Sequence, residues 1–184
     1  MSNPPSEAPP RDVALLFTAE EIARRVDSLA DEIALMMANP FIVVVILKGA
    51  FMFGADLIRA LSRRGRHPRI EFIRLGSYGD ALETSGTVSL RSAPPAGIEG
   101  RPVLIVDDVL DSGLTLLEAK RLIESWGASE ARTCVLVRKE GKQKVPGRAD
   151  FVGFTIGDRF VVGYGIDCAE NYRDLPYLAS VTAG

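Results

Sequence analysis

The stretch Val103 to Leu116 limits what this chain can fold into more than any other: Val-Leu-Ile-Val-Asp-Asp-Val-Leu-Asp-Ser-Gly-Leu-Thr-Leu. Four apolar, mostly β-branched residues predict a short strand covered on both faces. Two carboxylates follow, and a Ser-Gly-x-Thr turn leads into an amphipathic run, so a strand hands over directly to a helix. The backbone N–H groups at such a helix start are unpaired, and their partial positive charge suits a phosphate. Gly113 lets the backbone approach closely. Ser112 and Thr115 add hydroxyl donors to the amides of Asp111, Ser112, Gly113, Leu114 and Thr115, so one phosphate can be held without a cationic side chain. Asp107 and Asp108 would repel a bare phosphate, but they suit a sugar diol or a hydrated Mg²⁺. A phosphorylated ribose satisfies all of these groups together.

The rest of the chain repeats the alternation of strand and helix. Thr18 and Glu21 form a capping box, with Phe17 and Ile22 placed as a hydrophobic staple. Ile22, Val26, Leu29, Ile33 and Met37 then recur at helical spacing, with Met36 and Met37 read as core filler. Asn39-Pro40 ends that helix. Phe41 to Leu47 is a continuous apolar run, the mark of a strand inside a parallel sheet. A second helix carries Phe53, Leu57, Ile58 and Leu61, and the spacing predicts strands over Ile70 to Leu75, Thr133 to Val137 and Phe151 to Ile156, with an edge strand near Val88. Leu116, Ala119, Ile123 and Trp126 mark a third helix ending near Gly127, with Trp126 read as core. The expected fold class is α/β: a mainly parallel twisted sheet flanked by helices. Arg63, Arg64, Arg66 and His67 read as a solvated connection, and His67, the only histidine, receives no catalytic role. Residues 1–11, rich in Pro and Ser, read as a disordered tail ahead of a single domain over 12–184.

Composition removes several classes of function. The chain has 184 residues, 47% of them hydrophobic and 25% charged, enough for one domain with a substantial core. A net charge of −2 supplies no basic field, so neither nucleic acid nor a membrane surface is an expected partner. No apolar run approaches the about 18 residues of a membrane span, and no secretory leader is visible, so a cytoplasmic protein is expected. The two cysteines, Cys134 and Cys168, have neither disulfide-framework nor zinc spacing and are expected to be reduced. Gly163 and Gly165 do not complete a dinucleotide fingerprint, and no P-loop is present.

The central stretch resembles the phosphoribosyl-pyrophosphate (PRPP) motif of type I phosphoribosyltransferases. Phe151-Val152-Gly153-Phe154, Asp158 to Asp167 and Tyr172-Arg173-Asp174-Leu175-Pro176-Tyr177, together with Leu47-Lys48-Gly49 and Ser77-Tyr78, resemble the hypoxanthine(-guanine) phosphoribosyltransferases. The resemblance covers roughly Asp12 to Ala179. It implies the type I phosphoribosyltransferase fold, with a small hood built from roughly residues 12–20 and 155–180, and Mg²⁺-dependent transfer of phosphoribose from PRPP to a 6-oxopurine in purine salvage.

Residue by residue, the resemblance implies that Asp111 takes the proton from purine N7. A lone Asp there would be read as a helix N-cap, a role compatible with the first. Asp107 and Asp108 would take the ribose hydroxyls and metal-bound water, and Asp111 to Thr115 the 5′-phosphate. Lys48, Gly49 and Arg173 would meet pyrophosphate, with a cis peptide between Leu47 and Lys48. Lys139 would donate to the 6-oxo oxygen, Phe160 would stack on the base, Val161 would offer backbone hydrogen bonds, and Asp167 would join Asp107 and Asp108 in binding Mg²⁺. Ser77 and Tyr78 belong to a Gly-rich stretch, Gly76 to Thr87, expected to act as a lid. A homo-oligomer, dimer or tetramer, is implied as well. Asp107 stands where many relatives carry Glu, and Cys168 where many carry an aromatic, which leaves open a preference for guanine or xanthine over hypoxanthine. A PRPP-binding regulator on the same scaffold is the reading from a different class.

Overall fold

The computed structural model describes residues 13–77, 88–90, 92–142 and 149–181. The expected tail, Tyr78 and residues 79–87 of the expected lid lie outside them. In chain order the elements are β1 (Val13–Phe17), α1 (Ala19–Met36), β2 (Ile42–Leu47), α2 (Phe51–Arg63), β3 (Arg69–Ser77), β4 (Val88–Leu90), β5 (Pro102–Leu110), α3 (Leu114–Ser125), β6 (Glu130–Lys139), β7 (Phe151–Ile156), β8 (Phe160–Val162) and β9 (Leu178–Val181).

Two sheets form. The larger has the order β4-β3-β2-β5-β6-β7, with β3, β2, β5, β6 and β7 parallel and only the short β4 antiparallel at the edge. The smaller joins β1, β9 and β8, all antiparallel, and so brings the first and last of the described strands together.

The unbroken apolar runs follow from burial on both faces of the large sheet. Val43 and Val45 of β2, with Leu104 and Val106 of β5, pack into one cluster with Ile22, Val26, Leu29 and Ile33 of α1 and Phe53, Leu57 and Leu61 of α2. Their neighbours one residue along, Ile42, Val44, Ile46, Val103 and Ile105, face the other way and pack with Leu116, Ala119 and Ile123 of α3. Strand side chains alternate between faces, so two covered faces require a continuous apolar sequence. The small sheet shares the first cluster through Val161 and Leu178, and the segment after β8 through Tyr164 and Ile166. It therefore sits on the α1–α2 side, where Phe17 of β1 stacks on Phe154 of β7 with ring centroids 3.9 Å apart.

Helix α1 begins as expected. Thr18 Oγ1 accepts the Glu21 N–H at 3.2 Å, and Glu21 Oε2 accepts the Thr18 N–H at 2.8 Å. Arg25 fastens the helix to the edge strand β7, donating to the carbonyls of Gly153 at 2.8 Å and Val152 at 2.6 Å.

Three expectations need correction. Met36 is 52% exposed while Met37 is 3% exposed, because successive helical residues point about 100° apart. Trp126 is only partly buried, at the margin of the second cluster. The arginines at and beyond the end of α2 are not simply a solvated connection: Arg63, the last residue of the helix, pairs with Asp27 at 2.8 Å, Arg64 with Asp27 at 3.3 Å and Asp31 at 2.5 Å, and Arg66 donates to the Ala34 carbonyl at 2.5 Å. They bind α2 to α1.

Candidate active site

In the large sheet the chain runs from β2 outward to β3, and from β5 in the opposite direction to β6 and β7. The strand order therefore reverses between β2 and β5. In open α/β sheets the crevice at the carboxyl ends of the strands, at such a switch point, is where ligands bind. Lys48-Gly49 follows β2, Asp107 and Asp108 lie near the end of β5 with Asp111 just beyond it, and Lys139 ends β6. The sequence thus delivers its candidate residues to one edge of one sheet.

The Leu47–Lys48 peptide is cis. Gly49 lies directly against Asp108, and a Cβ there would overlap the Asp108 carboxylate. A larger residue at 49 would have to turn the Asp108 carboxylate away from its place at the switch point. Gly165, at φ +99°, is packed equally closely against the Gly49 carbonyl, so the segment after β8 rests on the Lys48-Gly49 loop. Tyr164 anchors that segment, its hydroxyl donating to Asp56 of α2 at 2.5 Å. Burial and the Asp56 carboxylate push the Tyr164 phenol well above its ordinary range, so it stays protonated.

The two adjacent acids differ. Asp107 is 5% exposed, and its Oδ1 accepts the Asp108 N–H at 3.0 Å. Burial first, and the Asp108 charge second, push the Asp107 carboxyl well above the ordinary range. Asp108, beside Gly49, is less buried. Of the pair, Asp108 is the one the fold leaves open to a sugar or an ion, and Asp107 stands behind it.

Beyond β5 the turn is built around Gly113, which occupies the N-cap of α3 at φ +86°, with no side chain capping the helix. The reading of Asp111 as a helix N-cap is therefore corrected. Gly113 takes that position because it alone tolerates the left-handed backbone. The Leu114 N–H points to Ser112 Oγ at 3.4 Å. Asp111 turns instead to Lys139, whose Nζ donates to Asp111 Oδ2 at 2.7 Å. The lysine side chain is 12% exposed and the aspartate 48%, so the pair presents its acidic half to the crevice.

A second charged group joins the C-terminal segment to Lys48. Arg173 pairs with Asp167 at 2.7 Å and donates to the Gly165 carbonyl at 2.8 Å. Asp167 Oδ2 accepts the Glu170 N–H at 2.8 Å, and Glu170 in turn pairs with Lys48 at 2.9 Å and Arg173 at 3.3 Å. Lys48, Asp167 and Arg173 are thus gathered together as the sequence leads one to expect. Sequence reasoning does not single out Glu170; its only signal is a place three residues from both Asp167 and Arg173. Phe160 and Val161 belong to β8 in the small sheet. Phe160 is 52% exposed, an aromatic face left uncovered, while Val161 is buried opposite Ser180. Ser77 is the last residue of β3, paired with Val88.

An open parallel sheet with a glycine-opened turn and acidic residues at its switch point defines an α/β protein with a ligand crevice there, and a model of the phosphoribosyl transferase domain matches residues 13–169. Similarity to individual proteins goes further. The hypoxanthine-guanine phosphoribosyltransferase of Aquifex aeolicus is 42% identical over 173 residues, 93% of this chain and 96% of that protein. A Bacillus anthracis hypoxanthine-guanine phosphoribosyltransferase structure superposes with a TM-score of 0.85 at 40% identity, covering 93% of this chain and 100% of that one. Hypoxanthine phosphoribosyltransferase of Trypanosoma cruzi, in complex with the product IMP, gives a TM-score of 0.85 at 36% identity over 97% of this chain and 98% of that one. The chain belongs to the hypoxanthine-guanine phosphoribosyltransferase family of type I phosphoribosyltransferases.

Proposed function

We infer that this protein transfers the 5-phosphoribosyl group from PRPP to hypoxanthine and guanine, giving IMP or GMP and pyrophosphate. The observation that carries the choice of base is the Lys139–Asp111 pair at 2.7 Å. A 6-oxopurine presents its O6 and N7 side by side on one edge. A lysine donor beside a carboxylate matches that edge, with Lys139 donating to O6 and Asp111 taking the proton from N7 as the ring acquires its new bond. Adenine would set an amino donor against the Lys139 donor.

In this reading the amides of Asp111 to Thr115 and the hydroxyls of Ser112 and Thr115 hold the 5′-phosphate, at the glycine-opened start of α3. Asp108 accepts from the ribose hydroxyls, and the buried Asp107 holds the Asp108 backbone in place. Lys48, the Gly49 backbone and Arg173 receive pyrophosphate as the C1 bond breaks. Phe160 stacks on the base and Val161 lines its far edge. Ser77 and Tyr78 are proposed to close over the bound substrate.

Asp108 and Asp167 supply hard carboxylate oxygens, the donors that Mg²⁺ takes, and among the described residues no three His, Cys, Asp or Glu side chains gather as a cage. That donor set fits an ion that shares its coordination with water and substrate phosphates. Asp108 and Asp167 would hold Mg²⁺ there, and the ion would supply charge neutralisation for pyrophosphate. The resemblance to enzymes of purine salvage supports a reaction in the cytoplasm by a homo-oligomer; separately, among the described residues no helix is long and apolar enough to cross a membrane.

Incubation with PRPP, hypoxanthine and Mg²⁺ tests the assignment. IMP and pyrophosphate should form one for one, stop on chelation and resume when Mg²⁺ is restored. IMP formation unaffected by chelation would remove the metal from the scheme, and no IMP at all would remove the function.

A further inference from the structure

Both cations assigned to pyrophosphate end on a single carboxylate. Glu170 Oε2 accepts from Lys48 Nζ at 2.9 Å and from an Arg173 terminal nitrogen at 3.3 Å. Lys48 comes from the end of β2 and Glu170 from the C-terminal segment, 122 residues later. Arg173 is otherwise held by Asp167 and the Gly165 carbonyl, and its Nε is buried with no hydrogen-bond partner among the described residues.

The backbone holds Glu170 there against its own preference. Cys168 and Asn171 exchange backbone hydrogen bonds at 3.2 and 3.0 Å, closing a tight turn whose two central residues, Ala169 and Glu170, have φ of +49° and +65°. Such turns favour Gly, Asn and Asp at these positions, because a Cβ crowds the left-handed backbone. The Glu170 N–H is tied to Asp167 at 2.8 Å, which orients the turn toward the site. Local backbone strain of this kind gathers where geometry serves a function. The Glu170 carboxylate thus faces two cations, Lys48 at 2.9 Å and Arg173 at 3.3 Å.

We propose that Glu170 is a built-in substitute for pyrophosphate: its carboxylate occupies Lys48 and Arg173 in the ligand-free enzyme, gives way to the diphosphate of PRPP, and returns to displace pyrophosphate after transfer. The proposal rests on the assignment of Lys48 and Arg173 to pyrophosphate. The Lys48 and Glu170 side chains are 49% and 66% exposed, and exposed ion pairs are weak, so a more highly charged ligand displaces the carboxylate readily. The same competition lowers the apparent affinity for pyrophosphate, since only the fraction of molecules with Glu170 displaced can bind. Product release is faster for it.

The test is pyrophosphate affinity, measured calorimetrically in the presence of Mg²⁺ on the full chain, for the wild type, Glu170→Gln, Lys48→Gln and the double variant. Glutamine keeps the shape and the turn but not the charge. Glu170→Gln should bind pyrophosphate about 3- to 10-fold more tightly, the gain expected from removing two weak competing ion pairs, and release it more slowly. Lys48→Gln should bind more weakly, and the gain from Glu170→Gln should shrink in the double variant, because the contested cation is gone. Unchanged or weaker binding by Glu170→Gln, with Lys48→Gln still impaired, overturns the substitution by Glu170 and leaves the site standing. Unchanged binding by Lys48→Gln overturns the assignment of Lys48 to pyrophosphate and the proposal with it.

Discussion

Asp111 and Lys139 carry the chemistry at the scale of single residues. Their ion pair couples the proton acceptor to the group that selects the base, so one substitution disturbs both. Asp111→Asn keeps the size of the side chain and the turn around Gly113. PRPP should therefore bind nearly as before, while turnover falls by about 10²- to 10⁴-fold, the usual contribution of a general base. PRPP affinity by calorimetry and IMP formation in a single turnover separate the two effects; a near-normal rate in Asp111→Asn would remove the carboxylate from the proton transfer. Gly49 shows the complementary constraint. No chemistry is asked of its side chain, yet a methyl group would overlap the Asp108 carboxylate and turn it from its place.

Among the elements, α1 and α2 are joined by apolar packing beneath and by Asp27, Asp31, Arg63 and Arg64 at the rim. The carboxyl of Asp27 is lowered chiefly by its hydrogen bond to Arg63, and that of Asp31 by Arg64. A carboxyl lowered in the folded state stabilises the fold above its unfolded value, about 3.9, and loses that contribution as pH falls through its folded value. An Asp27→Asn/Asp31→Asn variant should melt below the wild type at pH 7 by no more than about 4 °C, the pairs being exposed. The difference should begin to shrink as pH falls below about 4 and vanish only once pH lies below the lowered folded values, where the wild-type carboxylates are protonated; a gap that persists there would assign the effect to packing. These pairs are not legible in the sequence. Arg64 meets Asp31 across 33 residues, and nothing local distinguishes a paired arginine from a solvated one. The capping box of α1 and the buried strand β2 are legible because each depends on residues only a few positions apart. Met36 and Met37 are equivalent by composition and are separated only by the rotation of the helix.

The whole molecule is a parallel sheet with two covered faces and a small antiparallel sheet that leans on one of them. The PRPP-type stretch is readable from the sequence alone because a strand, its terminal acids and the following turn are contiguous along the chain. Glu170 is not, since its meaning depends on Lys48 arriving from the far side of the switch point. The elements of the proposed reaction likewise come from separate parts: Asp108 and Asp111 lie at the end of β5, Lys139 ends β6, Lys48 follows β2, and Phe160 belongs to the small sheet. Base selection is the property that requires them to act as one site. It is measured by supplying PRPP and Mg²⁺ with hypoxanthine, guanine, xanthine, adenine or orotate, and following pyrophosphate release for each. Hypoxanthine and guanine should be turned over, and adenine and orotate should not, because neither offers Lys139 and Asp111 an O6 acceptor beside an N7 proton. Efficient turnover of adenine or orotate would contradict the assignment of the Lys139–Asp111 pair to the purine edge.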